Sequence, residues 1–232
     1  MKSRLLVLSI AAAASLAWAS SSDEPDAIVE NYCAATQTQA RMMRAATMDI
    51  DIDASLPSLK QHGKLHALKR ITSLGRITFE ALKFDGDGTV KKNVIARYLQ
   101  GQADNAQSAD LAVTPANYKF SYKGRSVFEG RPVHIFQVTP RKKLAGLFKG
   151  EIRIDAATYL PVQESGYLVK SPSIWLKRVE FVRTYEIRNG LSLPLQEQDV
   201  AEVRLAGKVE MTVDYSNYSA EADGDASGDD LR

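Results

Sequence analysis

Near Met48 the spacing of apolar residues changes from every third or fourth position to every second, and it keeps that period for most of the chain. Met48, Ile50 and Ile52 alternate with Asp49, Asp51 and Asp53, the pattern of a strand with one buried face. Segments 64–71 and 76–84 read the same way. From Tyr118 onward strands follow almost without interruption: Tyr118-x-Phe120-x-Tyr122, then 133–138, Ile152-x-Ile154, 160–169, 175–187, Val203-x-Leu205 and Val209-x-Met211-x-Val213-x-Tyr215. Asn189-Gly190 and Ala206-Gly207 supply tight turns between strands. About ten strands joined by short turns make an antiparallel meander. A twisted sheet of that size with one apolar face must curl or be covered.

Two helical segments are available to cover it. Pro25 suits a first helical turn, and Val29, Cys33, Thr36, Ala40 and Met43 form one stripe behind it. Cys33 reads as a small buried hydrophobe, and as the single cysteine it excludes an intrachain disulfide. Asp85-Gly86-Asp87-Gly88 reads as a turn, 89–99 as a second helix on Val90, Val94 and Tyr98, and 101–117 as polar and irregular. The expected fold is α+β, mainly antiparallel β: an incomplete, half-open barrel of about ten strands whose concave apolar face lies under two helices.

The first residues carry an address. Lys2 and Arg4 precede an apolar run, and Ala17-Trp18-Ala19 gives the small-x-small pattern of a secretory signal peptide, with cleavage expected after Ala19. No other apolar run reaches the length of a membrane span. The expected organisation is a signal peptide at 1–19, one domain at 20–218 and an acidic tail at 219–232, too poor in apolar residues to order itself. The sequence holds 30 basic and 28 acidic residues, so loss of Lys2 and Arg4 leaves a neutral chain. An exported neutral chain is not expected to bind nucleic acid.

Chemistry-bearing motifs are scarce. The three histidines are His62, His66 and His134. His62 and His66 lack the Glu that a zincin needs after its first His, since Gly63 stands there. Asp49, Asp51 and Asp53 start like a calcium loop, but Ala54 replaces its glycine and Lys60 its glutamate. There is no nucleophile elbow, phosphate-binding loop or dinucleotide fingerprint. No catalytic residue, metal or cofactor is therefore expected. The segment Arg141-Lys142-Lys143-Leu144-Ala145-Gly146-Leu147-Phe148 mixes cations with large apolar residues. That composition suits contact with an anionic membrane surface through Arg141, Lys142, Lys143, Leu144, Leu147 and Phe148, or else a solvated turn leading into a strand.

Three stretches carry a resemblance: Thr114-Pro115-Ala116-Asn117-Tyr118-Lys119-Phe120; Phe148-Lys149-Gly150-Glu151-Ile152-Arg153-Ile154-Asp155 with Thr158-Tyr159-Leu160-Pro161-Val162; and Gly190-Leu191-Ser192-Leu193-Pro194. In these the chain resembles outer-membrane lipoprotein-sorting-like proteins, the carrier fold of LolA, LolB and the N-terminal part of RseB. The resemblance implies an incomplete barrel with helices over its mouth, in the periplasm, sequestering acyl chains of a lipid or lipoprotein without catalysis. No single position matches the basic acyl-binding landmark of the true carrier.

The alternation itself nominates the ligand-facing residues: Ile50, Ile52, Phe79, Ile152, Ile154, Phe181, Tyr185, Val203, Leu205, Met211 and Val213 on the concave apolar face. On the long strand Arg178, Glu180, Thr184, Glu186 and Arg188 take the opposite face. A monomer with lipid acyl chains as cargo and transient membrane contact is expected. The competing expectation is an envelope sensor or scaffold with a protein partner, its concave face plugged by Val29, Tyr32, Cys33 and Met43. A polar cluster at the barrel mouth would instead favour an exported hydrolase. Cavity volume separates the first two.

Overall fold

The structure, a computed structural model, describes residues 24–106, 108–171, 176–204 and 207–220. The expected signal peptide and the tail beyond Ala220 lie outside them, as do Trp175 and Leu205.

The first helix, α1 (Pro25–Met42), starts with proline at its first position, has Asp26 in its first turn and Arg41 in its last, and so complements its own dipole. Its buried stripe is Ile28, Val29 and Tyr32, with Cys33 and Thr36 half-buried; Ala40 is exposed and Met43 lies beyond the helix. The expected stripe is thus rotated by about one residue. Ile28 and Tyr32, four apart, are the larger side chains and take the buried positions.

Ten strands follow: β1 (Ala46–Leu56), β2 (Gln61–Ile71), β3 (Ile77–Gly86), β4 (Tyr118–Phe128), β5 (Arg131–Pro140), β6 (Phe148–Asp155), β7 (Pro161–Leu168), β8 (Leu176–Arg188), β9 (Leu191–Val203) and β10 (Gly207–Ala220). They form one antiparallel sheet in the order β3-β2-β1-β10-β9-β8-β7-β6-β5-β4, with β3 and β4 as unpaired edges. The β1–β10 ladder joins the two hairpin runs and closes the meander on itself at every point but one. Asn189 and Gly190 both take positive φ, at 52° and 76°, which is the twist a two-residue hairpin requires. The half-open barrel expected from alternation is the fold observed. Strand β10 extends to Ala220, two residues into the segment read as tail, where Ser219 and Ala220 pair with Thr47 and Ala46.

The connection from β3 to β4 carries the second helix, longer than expected. It runs over 88–105 as a first turn Gly88–Val90, a π-helical stretch Lys91–Ile95 and an α-helix Ala96–Asn105. Gly88 starts this helix and is not a turn residue. Gly101 lies within it and has open space around its Cα, so it costs helix propensity, about 1 kcal/mol, without breaking the helix. Val90 and Ile95 are buried, which fixes the helix over the concave face.

The apolar residues form two separate clusters. One gathers Met48, Ile50, Ile52, Leu65, Val209, Met211 and Val213 beneath Val90 and Ile95. The other gathers Ile28, Val29 and Tyr32 of α1 with Tyr118, Phe136, Leu147, Phe148, Ile152, Ile154 and Phe181. Each fully buried large side chain contributes about 1.5–3 kcal/mol, so each cluster is a core in its own right.

Candidate functional site

Between the two cores lies a cavity of about 1000 Å³. That is the upper end of the usual range for ligand sites, about 300–1000 Å³. Its apolar wall comes from Leu56, Phe148, Val179, Phe181, Val203 and Met211, with Val94 and Tyr98 overhead. Of the residues nominated by alternation, Phe181, Tyr185, Val203 and Met211 line it. Ile50, Ile52 and Val213 are sealed in the first core, with Phe79 packed against it, and Ile152 and Ile154 are sealed in the second. Concave position alone does not put a side chain on the cavity, because the helices cover part of the face.

Of the proposed plug, Val29, Tyr32 and Cys33 belong to the second core, and Met43 lines the cavity. Helix α1 therefore covers the β4–β6 half and leaves the other half hollow. Its C-terminal part is fastened by a reciprocal amide pair: Gln39 Nε2 donates to the Ser192 carbonyl at 3.0 Å, and the Ser192 amide donates to Gln39 Oε1 at 2.7 Å.

The concave face is not uniformly apolar, contrary to the alternation reading. A belt of charged and hydroxyl groups crosses it from strand to strand. Lys69 occupies an inward position of β2, in line with Gly63, Leu65 and Ala67, and is buried. Glu164 on β7, Arg183 on β8 and Glu197 with Asp199 on β9 also face inward and line the cavity, beside Tyr98, Tyr185 and Tyr215. The spacing Val179-Phe181-Arg183-Tyr185 places Arg183 on this inward face.

At the centre of the belt Arg183 Nε donates to Glu197 Oε1 at 2.8 Å, and its Nη1 lies 3.9 Å from Glu164 Oε2. The guanidinium stacks on the Phe181 ring, 4.5 Å from its centroid. Glu197 Oε2 accepts from the Tyr98 hydroxyl at 2.8 Å and from that of Tyr215 at 3.4 Å, while Glu164 Oε2 accepts from Tyr185 at 3.1 Å. Burial pushes Glu197 up, but Arg183 and the tyrosine hydroxyl outweigh it and hold the carboxyl below its usual range. Glu164 is raised by burial against the opposing pull of Arg183. Asp199 is pushed up to about 8 by burial and by the neighbouring Glu197 charge. Lys69 is pulled down to about 8 by burial.

Arg183 neutralises Glu197 and shares Glu164, and among the described residues lining the cavity there is no histidine or cysteine. Ser192 lines it but donates its hydroxyl to the Pro161 carbonyl at 2.6 Å. The network ties β7, β8 and β9 to the 88–105 helix through Glu164, Arg183, Glu197 and Tyr98. The signal for it in the sequence was charge at inward positions of the strands, which alternation alone reads as outward.

The basic segment is divided by the fold. Leu147 and Phe148 are 1% and 4% exposed. Phe148 begins β6 and packs on Tyr118 and Phe181, with centroids 5.6 and 5.0 Å apart. They are core residues and do not insert into a bilayer. Arg141, Lys142, Lys143 and Leu144 remain exposed, and Arg141 Nε donates to the Pro115 carbonyl at 2.8 Å. On the outer face of β1, Asp51 and Asp53 pair with His66 and Lys64, each at 2.9 Å, and Asp49 accepts from Asn217 at 2.7 Å. They serve the strand surface, and no group of three metal-ligating side chains occurs among the described residues.

No protein-family model and no curated protein matches the chain. Among solved structures it is similar to a domain described as an outer membrane lipoprotein-sorting protein from Vibrio parahaemolyticus, with 10% identity over 84% of this chain and 92% of that one and a TM-score of 0.48. It is similar to a LolA superfamily protein from Nitrosomonas europaea at 10% identity, over 85% and 93% of the two chains, with a TM-score of 0.43. The Pseudomonas aeruginosa MucA/MucB complex matches at 14% identity, over 83% and 99%, with a TM-score of 0.24. At these identities the likeness concerns chain architecture alone.

Proposed function

We propose that this chain is a non-catalytic carrier of the cell envelope that takes acyl chains of a lipid or lipoprotein into the cavity between its two cores. The observation that carries the reading is the cavity of about 1000 Å³, walled by aliphatic and aromatic side chains under a helix. An apolar chain entering it removes apolar surface of both partners from water, at roughly 25 cal/mol per Å². The leader-like N-terminus supports export, and among the described residues no helix is long and apolar enough to cross a membrane. The exposed Arg141, Lys142, Lys143 and Leu144 support brief contact with an anionic bilayer, from which cargo enters without crossing water.

The test is direct. The exported form is purified, delipidated and reloaded with envelope lipids, and the bound material is extracted and weighed by mass spectrometry. Stoichiometric uptake of acyl-chain lipid is expected. A protein that stays empty, and that does not brighten a neutral hydrophobic probe such as N-phenylnaphthylamine, overturns the reading.

A further inference from the structure

We infer that the ligand seated in the cavity is an amphiphile with an anionic head, a carboxylate or a phosphate, and that Lys69 receives that head. The inference rests on the carrier reading and adds the chemistry of the cargo.

Lys69 is 8% exposed, at an inward position of β2 whose neighbours in line are Gly63, Leu65 and Ala67. An ammonium carries three donors. Here one of them reaches Gln102 Oε1 at 3.4 Å, at the long limit of a hydrogen bond, and the group hangs over the Tyr215 ring at 5.4 Å. Among the described residues no carboxylate lies within ion-pair distance of it. A buried cation with so little compensation is costly unless a partner completes it.

The nearby acids are not that partner. Glu197 acts on Lys69 only through space, from beyond ion-pair distance; its oxygens are occupied by Arg183, Tyr98 and Tyr215, and those of Glu164 by Tyr185 and Arg183. Asp199 is held largely protonated at neutral pH by burial beside Glu197. The whole lining points the same way. Four basic side chains, Lys69, Arg97, Arg183 and Arg204, face the three acids Glu164, Glu197 and Asp199. Of the four, only Arg183 is paired with a carboxylate among the described residues. Arg97 and Arg204 are exposed to solvent, so Lys69 carries the uncompensated buried charge of the cavity. Its apolar wall begins beside this charge, so one molecule with a negative head and an alkyl chain satisfies both.

The experiment is displacement of N-phenylnaphthylamine from the delipidated protein by palmitate, hexadecyl phosphate and hexadecanol, which share a chain and differ in head. Both anions are expected to displace the probe at about one-tenth the concentration of the alcohol or less, the effect of a hydrogen bond to a charged group. Lys69→Gln should erase that advantage, and Lys69→Arg should keep it. Palmitate alone showing the advantage identifies a free carboxylate, and hexadecyl phosphate alone a phosphate head; either supports the inference. If the alcohol competes as well as the anions, the anionic head is wrong while the carrier reading stands. If no long-chain compound competes, both fall. An anion preference that survives in Lys69→Gln overturns the role of Lys69. Should that variant not fold, Lys69→Met, which keeps the length of the side chain without its charge, makes the same comparison and must likewise lose the anion preference.

Discussion

The Tyr98 hydroxyl donates to Glu197 Oε2 at 2.8 Å, joining the helix above the cavity to the charged wall across from it. Tyr98→Phe removes that tie while Arg183 still neutralises Glu197. The expected loss of stability is about 1 kcal/mol, the worth of one hydrogen bond. A bound probe should leave faster, because the helix is held mainly by Val90 and Ile95 thereafter. Chemical denaturation and stopped-flow release measure the two effects. Unchanged release would show that the helix is not the cover through which ligand passes.

Arg183 holds two buried carboxylates, so its removal is expected to be severe. Arg183→Met leaves Glu164 and Glu197 without an ion-pair partner, with Lys69 acting on Glu197 only from a distance, and solvent reaching the Arg183 site keeps the cost toward the lower end of about 3–5 kcal/mol near neutral pH. Without the guanidinium both acids are raised above their unfolded values. The loss therefore appears as pH rises through the ordinary carboxylate range and shrinks toward pH 4. Melting curves from pH 4 to 8 test this; a penalty independent of pH would assign the loss to the Phe181 stacking contact instead.

Asp199 carries the opposite lesson. Its carboxyl is pushed up to about 8 by burial, above the ordinary value of roughly 3.9 in an unfolded chain. Between those limits the folded state holds the proton more tightly, so the group costs stability as pH rises from about 4 to about 8. Asp199→Asn removes that cost. The variant should melt close to the parent at pH 4 and gain more than about 1 kcal/mol by pH 8. A gain that does not grow with pH rules out ionisation at this site.

The exposed cations offer a surface prediction. Lys142→Gln with Lys143→Gln should reduce co-sedimentation with anionic vesicles at low salt, at about 1 kcal/mol per cation, and leave the melting temperature unchanged. Arg141 is spared because its guanidinium holds the Pro115 carbonyl. Vesicle binding that persists in the double variant places the membrane contact elsewhere.

The strands were legible because period two has few other meanings. Met48-x-Ile50-x-Ile52 and Val209-x-Met211-x-Val213 fall in the core as alternation requires. What alternation could not give was the charged belt, since a polar residue on a strand is read as outward unless its neighbours two places away contradict it. For Arg183 they do, as Phe181 and Tyr185 flank it on the same face. Lys69, following Leu65 and Ala67 in line, gives the same sign. The 89–99 reading stops short of the observed helix because the polar residues after Leu99 carry no apolar period, while Val90, Ile95, Tyr98 and Leu99 pack on the first core and anchor the segment. Leu147 and Phe148 looked available to a membrane because composition does not say which apolar residues a strand will bury.

The separation of the two cores has a consequence for cooperativity. The cluster around Met48 and Ile95 and the cluster around Ile28 and Phe136 are each packed, but the contacts that would weld them are replaced by the cavity. In the ligand-free protein, amide exchange in β1–β3 should report a different opening free energy from that in β5–β6, as two partly independent units do. A chain of cargo lying between them would supply the missing middle of the hydrophobic interior and draw the two values together. Occupancy of the cavity would then register as a change from two unfolding steps to one, with the occupant acting as a structural member of the fold.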